Sequence, residues 1–180
     1  QYPAFLALCS VLVIQCLFFG DGGLLALGCN MFNMGIIPCF LIYPLVVKPL
    51  LTKKLNKQRI ILVSLLGVVL GLELGAFCVV LQTLISQVTE LPFTLFLGLM
   101  LPIHLAIGIG EGIVTGAVVS YVYKENPKMV DHALKDQSFE TFNIKKLIYV
   151  FLTLVVLIGG CLSLYASSQP DGLEWSIGGI

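Results

Sequence analysis

Residues 102–116 read PIHLAIGIGEGIVTG. A histidine, a glutamate and four glycines stand in a run that is otherwise almost wholly apolar. A helix on the surface of a soluble protein keeps a broad polar face, and this stretch has none. It lies inside a longer apolar segment, about 92–123, whose 32 residues would make one helix of about 48 Å. The hydrocarbon core of a bilayer is about 30 Å thick, so such a helix must tilt, project or break. Pro102 and the glycines offer places to break.

Four more apolar segments flank this one, at about 3–19, 24–47, 60–88 and 147–166. A span needs about 20 apolar residues, and each segment is near that length. The whole chain of 180 residues is 58% hydrophobic and 11% charged, with a mean hydropathy of +1.00. Soluble domains carry about 25% charged residues. The expected fold is therefore all-α, a polytopic membrane helical bundle with about five transmembrane helices. Membrane lipid is the first expected partner. A net charge of zero gives no basic field for nucleic acid.

The six cysteines, Cys9, Cys16, Cys29, Cys39, Cys78 and Cys161, stand in apolar runs with no Cys-x-x-Cys pair. They read as small buried hydrophobes rather than as disulfides or a zinc site. The chain opens at Gln1 and is apolar almost at once, without a basic n-region or cleavage site. It reads as an interior piece of a longer polypeptide.

All ten basic residues fall in two segments. Lys48, Lys53, Lys54, Lys57 and Arg59 lie between the second and third apolar segments, and Lys124, Lys128, Lys135, Lys145 and Lys146 between the fourth and fifth. Two spans separate the groups, so both lie on one side, the cytoplasm by the positive-inside rule. Segments 48–59 and 124–146 are thus expected inside. The connections GDGG (20–23) and SQVTELP (86–92) and the tail 167–180 carry no base and fall outside. The segment 126–146 reads as a mixed-charge, partly helical cytoplasmic linker. No P-loop, Gly-x-Ser-x-Gly or polar enzyme domain is visible, so any ATP hydrolysis must come from a separate subunit.

An ionisable group within a span costs at least about 2.5 kcal/mol when charged near the centre, and usually faces a cavity or a partner. The segment 60–88 carries Gly67, Gly71 and Gly75, four residues apart, with Glu73 among them. The segment 92–123 repeats the pattern with Gly108, Gly112 and Gly116. Small residues at this spacing form one helix face and admit a close neighbour. Glu73 reads as structural, since the glycine face already explains close packing. His104, Gly108, Glu111 and Thr115 also share a face. Two readings stand: a polar stripe lining or supporting a cation site, or hydrogen bonds that hold the bundle in register.

A third cluster is FGDGGLLALGCNMFNMG (19–35). Asp21, Gly22 and Gly23 signal an outer turn. Asn30 and Asn33 share a helical face beside Met31 and Met34. Their oxygen and sulfur atoms either meet a transition metal or bridge helices and fill gaps.

The run FGDGGLLALGCNMFNMG, then LELG (72–75), then HLAIGIGEGIVTG (104–116) resembles the CbiM/NikM family, across residues 1–125. These are membrane substrate-binding components of energy-coupling-factor transporters for cobalt and nickel. After one more span, SSQPDGLEW (167–175) resembles the PDGLE segment of the small accessory subunit (CbiN/NikN-like) that works beside them. Pro170, Asp171, Gly172, Leu173 and Glu174 form that motif. The resemblance implies a fused protein, with residues 147–180 as the accessory span and the start of its outer segment.

The resemblance further implies a transporter component of a prokaryotic inner membrane, not an enzyme. It would have no permanently bound cofactor, with Co(II) or Ni(II) as transported substrate. A transmembrane coupling subunit and cytoplasmic ATPase subunits would be its partners. In the family an N-terminal Met-His and a Gly-His motif hold the metal, and this sequence contains neither. No family ligand position is therefore expected here. His132 reads as an ordinary linker residue. Asn30, Asn33, His104, Glu111 and Thr115 remain as supporting or path-lining candidates. A proton-coupled secondary transporter using Glu73 and Glu111, and a purely accessory or structural membrane subunit, are the competing readings. An intramembrane enzyme lacks the Ser/His, Asp/Asp or His-Glu-x-x-His set it would need.

Overall fold

The computed structural model describes residues 1–19, 23–53, 55–87, 92–135 and 145–160. Among them all regular structure is helical. Helix α1 covers Tyr2–Ile14 and widens into a π turn over Gln15–Phe19. Helix α2 spans Gly23–Lys53, α3 Lys57–Ser86 and α4 Phe93–Glu125. Helix α5 is the short Pro127–Leu134, and α6 is Lys145–Gly160.

Helices α2, α3 and α4, of 31, 30 and 33 residues, are long and apolar enough to cross a membrane. At 1.5 Å per residue α3 and α4 each span at least about 45 Å along the axis, more than the hydrocarbon core, so each tilts or projects. The apolar stretch Tyr2–Phe18 is shorter. Part of the expected fifth segment, 161–166, lies outside the described residues. Large apolar side chains such as Leu6, Phe18, Leu25, Leu45, Leu62 and Ile85 point outward, as they do where lipid is the solvent.

Two proline effects differ. Helix α4 runs unbroken through Pro102, so of the three expected outcomes its length is absorbed by tilt or projection rather than a break. In α2 the middle, Met31–Val47, is wound as a wider π-helix containing Pro38 and Pro44. Its last bond is the amide N–H of Lys48 donating to the Tyr43 carbonyl. The wider turn accommodates two rings that an α-turn would push into the preceding carbonyls.

The broadest packing joins α3 to α4, and the next joins α3 to α2, so α3 is the central helix. Both contacts are made through the glycines. A Cβ placed on Gly108, Gly112 or Gly116 would lie 3.2, 2.9 and 3.1 Å from the Cα atoms of Val69, Leu65 and Ile61. Each step of four along α4 answers a step of four back along α3, which is antiparallel register. On its other side, α3 sets Gly67 against Val47, Gly71 against Pro38 and Gly75 against the Asn33 carbonyl. Without side chains in the way, the helices approach closely enough for dispersion to act between backbones, the main attraction available in lipid.

Two apolar clusters finish the frame. Ala76, Val80, Phe96 and Met100 join α3 to the start of α4. Leu51, Ile60, Val63 and Leu134 join α2, α3 and α5 at the basic end. Helix α1 leans on α2, with Phe5 over Gly35 and edge-on contacts of Tyr2 and Phe5 to Phe40 at 5.3 and 5.4 Å. Of the described cysteines, Cys16 and Cys39 are buried and Cys9 and Cys78 half-buried, all unbridged. Cys29 departs from the expected burial and lies exposed.

Candidate functional site

Asn33 is buried, at 3% exposure, and forms a closed amide pair with Gln82 of α3. Its Nδ2 donates to Gln82 Oε1 at 2.8 Å, and Gln82 Nε2 donates back to Asn33 Oδ1 at 3.1 Å. Gly75 stands one face-repeat earlier on α3, against the Asn33 backbone, and allows the approach that makes the pair possible. Asn33 therefore serves as a helix bridge in this structure, and sequence reading missed its partner. Gln82 sits at the polar end of an apolar helix, where an amide attracts no notice. Asn30, one turn earlier, is half-buried.

The stripe of α4 falls along the margin of its contact with α3. Gly108 is buried against α3, His104 and Thr115 are half-buried, and Glu111 is exposed. The shared face is real, but it is divided between helix contact and open surface. His104 Nδ1 lies 2.8 Å from the Met100 carbonyl. A carbonyl can only accept, so Nδ1 carries the hydrogen, and Nε2 has no hydrogen-bond partner among the described residues.

Glu73 belongs beside His104. The α3–α4 register pairs 61 with 116, 65 with 112 and 69 with 108, and one further step pairs 73 with 104. Glu73 and His104 are near enough to interact electrostatically. The Oε1 atom of Glu73 is buried and has no hydrogen-bond partner among the described residues. The glycine face of α3 looks toward α2, while Glu73 looks toward α4. Close packing of the glycines therefore does not account for this glutamate, and the register between two helices, invisible in one sequence, is what reveals it.

His132 lies half-buried on α5. The motif Pro170, Asp171, Gly172, Leu173 and Glu174 lies outside the described residues. No group of three or more His, Cys, Asp or Glu side chains able to hold a metal occurs among the described residues.

Residues 1–129 match the family model for CbiM, the cobalt uptake substrate-specific transmembrane region. The chain belongs to the CbiM family. Residues 145–180 match the PDGLE domain, so the CbiM region runs into an accessory-type segment in one polypeptide. Among relatives, a protein described as fused nickel transport protein NikMN, from Archaeoglobus fulgidus, is 32% identical over 130 residues, covering 72% of this chain and 42% of its own. A metal transport protein of Methanocaldococcus jannaschii is 33% identical, covering 71% of this chain and 58% of its own. A protein described as fused nickel transport protein LarMN, from Lactiplantibacillus plantarum, is 31% identical over 185 residues, covering 97% of this chain and 53% of its own. The chain thus spans about half the length of these relatives. No solved structure matches.

Proposed function

We propose that this chain is the substrate-capture membrane component of an energy-coupling-factor transporter that takes up cobalt or nickel in a prokaryotic inner membrane. The observation that carries the reading is the CbiM match over residues 1–129 on a bundle whose central helix is packed on both sides through glycines. The nickel transport named for two relatives supports the substrate class. In the proposed topology, segments 48–59 and 124–146 face the cytoplasm, and the PDGLE segment at 167–180 lies outside. Residues 1–125, 126–146 and 147–180 act as capture domain, linker and accessory part.

A separate transmembrane coupling subunit binds the bundle, and cytoplasmic ATPases drive it. The exposed face of α4 supports a further helical neighbour, since Glu111 stands there among the exposed Ile107, Ile109, Ile113 and Val114. A carboxylate facing hydrocarbon costs at least about 2.5 kcal/mol near the bilayer centre.

The test is ATP dependence. Cells producing the protein with its coupling and ATPase subunits should accumulate radioactive nickel or cobalt, and replacing the P-loop lysine of the ATPases should return accumulation to background. Uptake that persists without ATPase function and varies steeply with pH would replace this reading with a proton-coupled secondary transporter.

A further inference from the structure

Glu73 and His104 have a chemistry that neither the glycine packing nor the family match assigns. They come from two antiparallel helices, well inside each: Glu73 is 13 residues before the end of Lys57–Ser86, and His104 is 11 residues into Phe93–Glu125. At 1.5 Å per residue both lie about 16–20 Å from the end that the two helices share. The Nδ1–H of His104 is spent on the Met100 carbonyl, and Met100 is itself buried at 1% exposure. A ring held this way has a fixed tautomer and a fixed direction, with Nε2 as a free lone pair; histidines that ligate metals are held in the same manner. The facing carboxylate has an oxygen with no protein donor among the described residues. Elsewhere around Glu73, α2 contributes Pro38 against Gly71 and the Asn33 backbone against Gly75. The Asn33 side chain is already closed on Gln82.

We propose that His104 Nε2 and the Glu73 carboxylate form a two-ligand relay site for a divalent transition metal crossing the bundle. The proposal rests on the metal-uptake reading above and deepens it. One imidazole nitrogen and one carboxylate oxygen bind a borderline cation such as Ni(II) or Co(II) better than they bind Mg(II) or Ca(II). Water supplies the remaining ligands. Two protein ligands make a site that holds the ion weakly enough to pass it on, as conduction requires. The glycines at 108 and 112 serve the site by bringing α4 against α3, which sets residues 73 and 104 opposite each other.

The experiment compares radioactive nickel uptake by the wild-type protein with its transport partners and by E73Q, H104Q and the double variant. Both substitutions keep size and hydrogen-bonding capacity. Each single variant should lose about tenfold or more of the uptake rate, and the double should be no worse than the worse single, because the two act as one site. A fourth variant, H104D, replaces nitrogen by oxygen and should shift the nickel-to-manganese uptake ratio about tenfold toward manganese. A residue that only packs helices would not move that ratio. Thermal unfolding of each purified variant identifies any that are misfolded, and the ratio, read on the uptake that remains, is independent of how much protein folds. Unchanged uptake in E73Q or H104Q, an additive double, or an unchanged ratio in H104D would overturn the relay. If the wild-type protein takes up neither nickel nor cobalt, it is the metal-uptake reading itself that fails.

Discussion

Two neighbouring glycines on α4 separate packing from composition. Gly112 sits against the Leu65 backbone, where a Cβ would stand 2.9 Å from Cα, whereas Gly110 has nothing within 4 Å. Gly112→Ala forces two backbones apart and is expected to destabilise by about 1–3 kcal/mol, the usual cost of overpacking. Gly112→Leu should abolish uptake even though the chain still inserts. Gly110→Ala meets no neighbour and should hold or raise the melting temperature, with up to about 1 kcal/mol from helix propensity. Thermal unfolding in detergent distinguishes these, and equal effects at 110 and 112 would contradict the register. The Asn33–Gln82 pair makes a second residue-scale case. Asn33→Leu strands the half-buried Gln82 amide, and removing both side chains should recover most of the loss, with a coupling of about 0.6–1.7 kcal/mol in a double-mutant cycle. Sequence alone singled out Asn33, His104 and the glycines because polar and small residues stand out in apolar runs. It could not find Gln82, nor the true neighbour of Glu73, since both depend on which residue of another helix lies opposite.

The ends of α3 show how local chemistry fixes the central helix. Asn56 Oδ1 accepts the Arg59 amide N–H at 2.8 Å, a side-chain cap at the basic end. Asn56→Ala should cost about 1 kcal/mol, and Asn56→Ser much less. At the other end Gln87 is held at φ 53°, a left-handed conformation. Gln87→Gly should stabilise the helix by about 0.5–1 kcal/mol, because glycine adopts that conformation without a Cβ penalty. Chemical denaturation of the purified protein reads both effects. Helix existence followed from apolar length, so α2, α3 and α4 were expected near their observed places. The unbroken course through Pro102 was not predictable from the proline itself. The π winding around Pro38 and Pro44 likewise depends on how neighbouring turns accommodate rings.

At the scale of the molecule, α3 is the axle, with α2 seated on its own glycine face, α4 seated through the glycines of α4, and the polar pair Glu73–His104 on the α4 side. Lys146 at the start of α6 contacts Glu125 at the end of α4, and this carboxylate raises the lysine above its ordinary value of 10.5. A raised lysine pKa stabilises below the ordinary value and loses that stabilisation as pH climbs through the raised one. The contact should therefore be constant between pH 6 and 9. It is open to solvent and should weaken with salt. The topology predicts that single cysteines placed at 57 and 128, in a cysteine-free background, react with a membrane-impermeant thiol reagent only from the cytoplasmic side. Labelling from outside would reverse the orientation.

The most direct measurement is metal competition in right-side-out membrane vesicles loaded with ATP and carrying the protein with its coupling and ATPase subunits. Initial uptake of radioactive cobalt or nickel should saturate, should vanish under about 100-fold excess of unlabelled nickel or cobalt, and should persist under the same excess of magnesium. Uptake that fails to saturate, or that magnesium suppresses as strongly as nickel does, would contradict the assignment of this bundle to transition-metal capture.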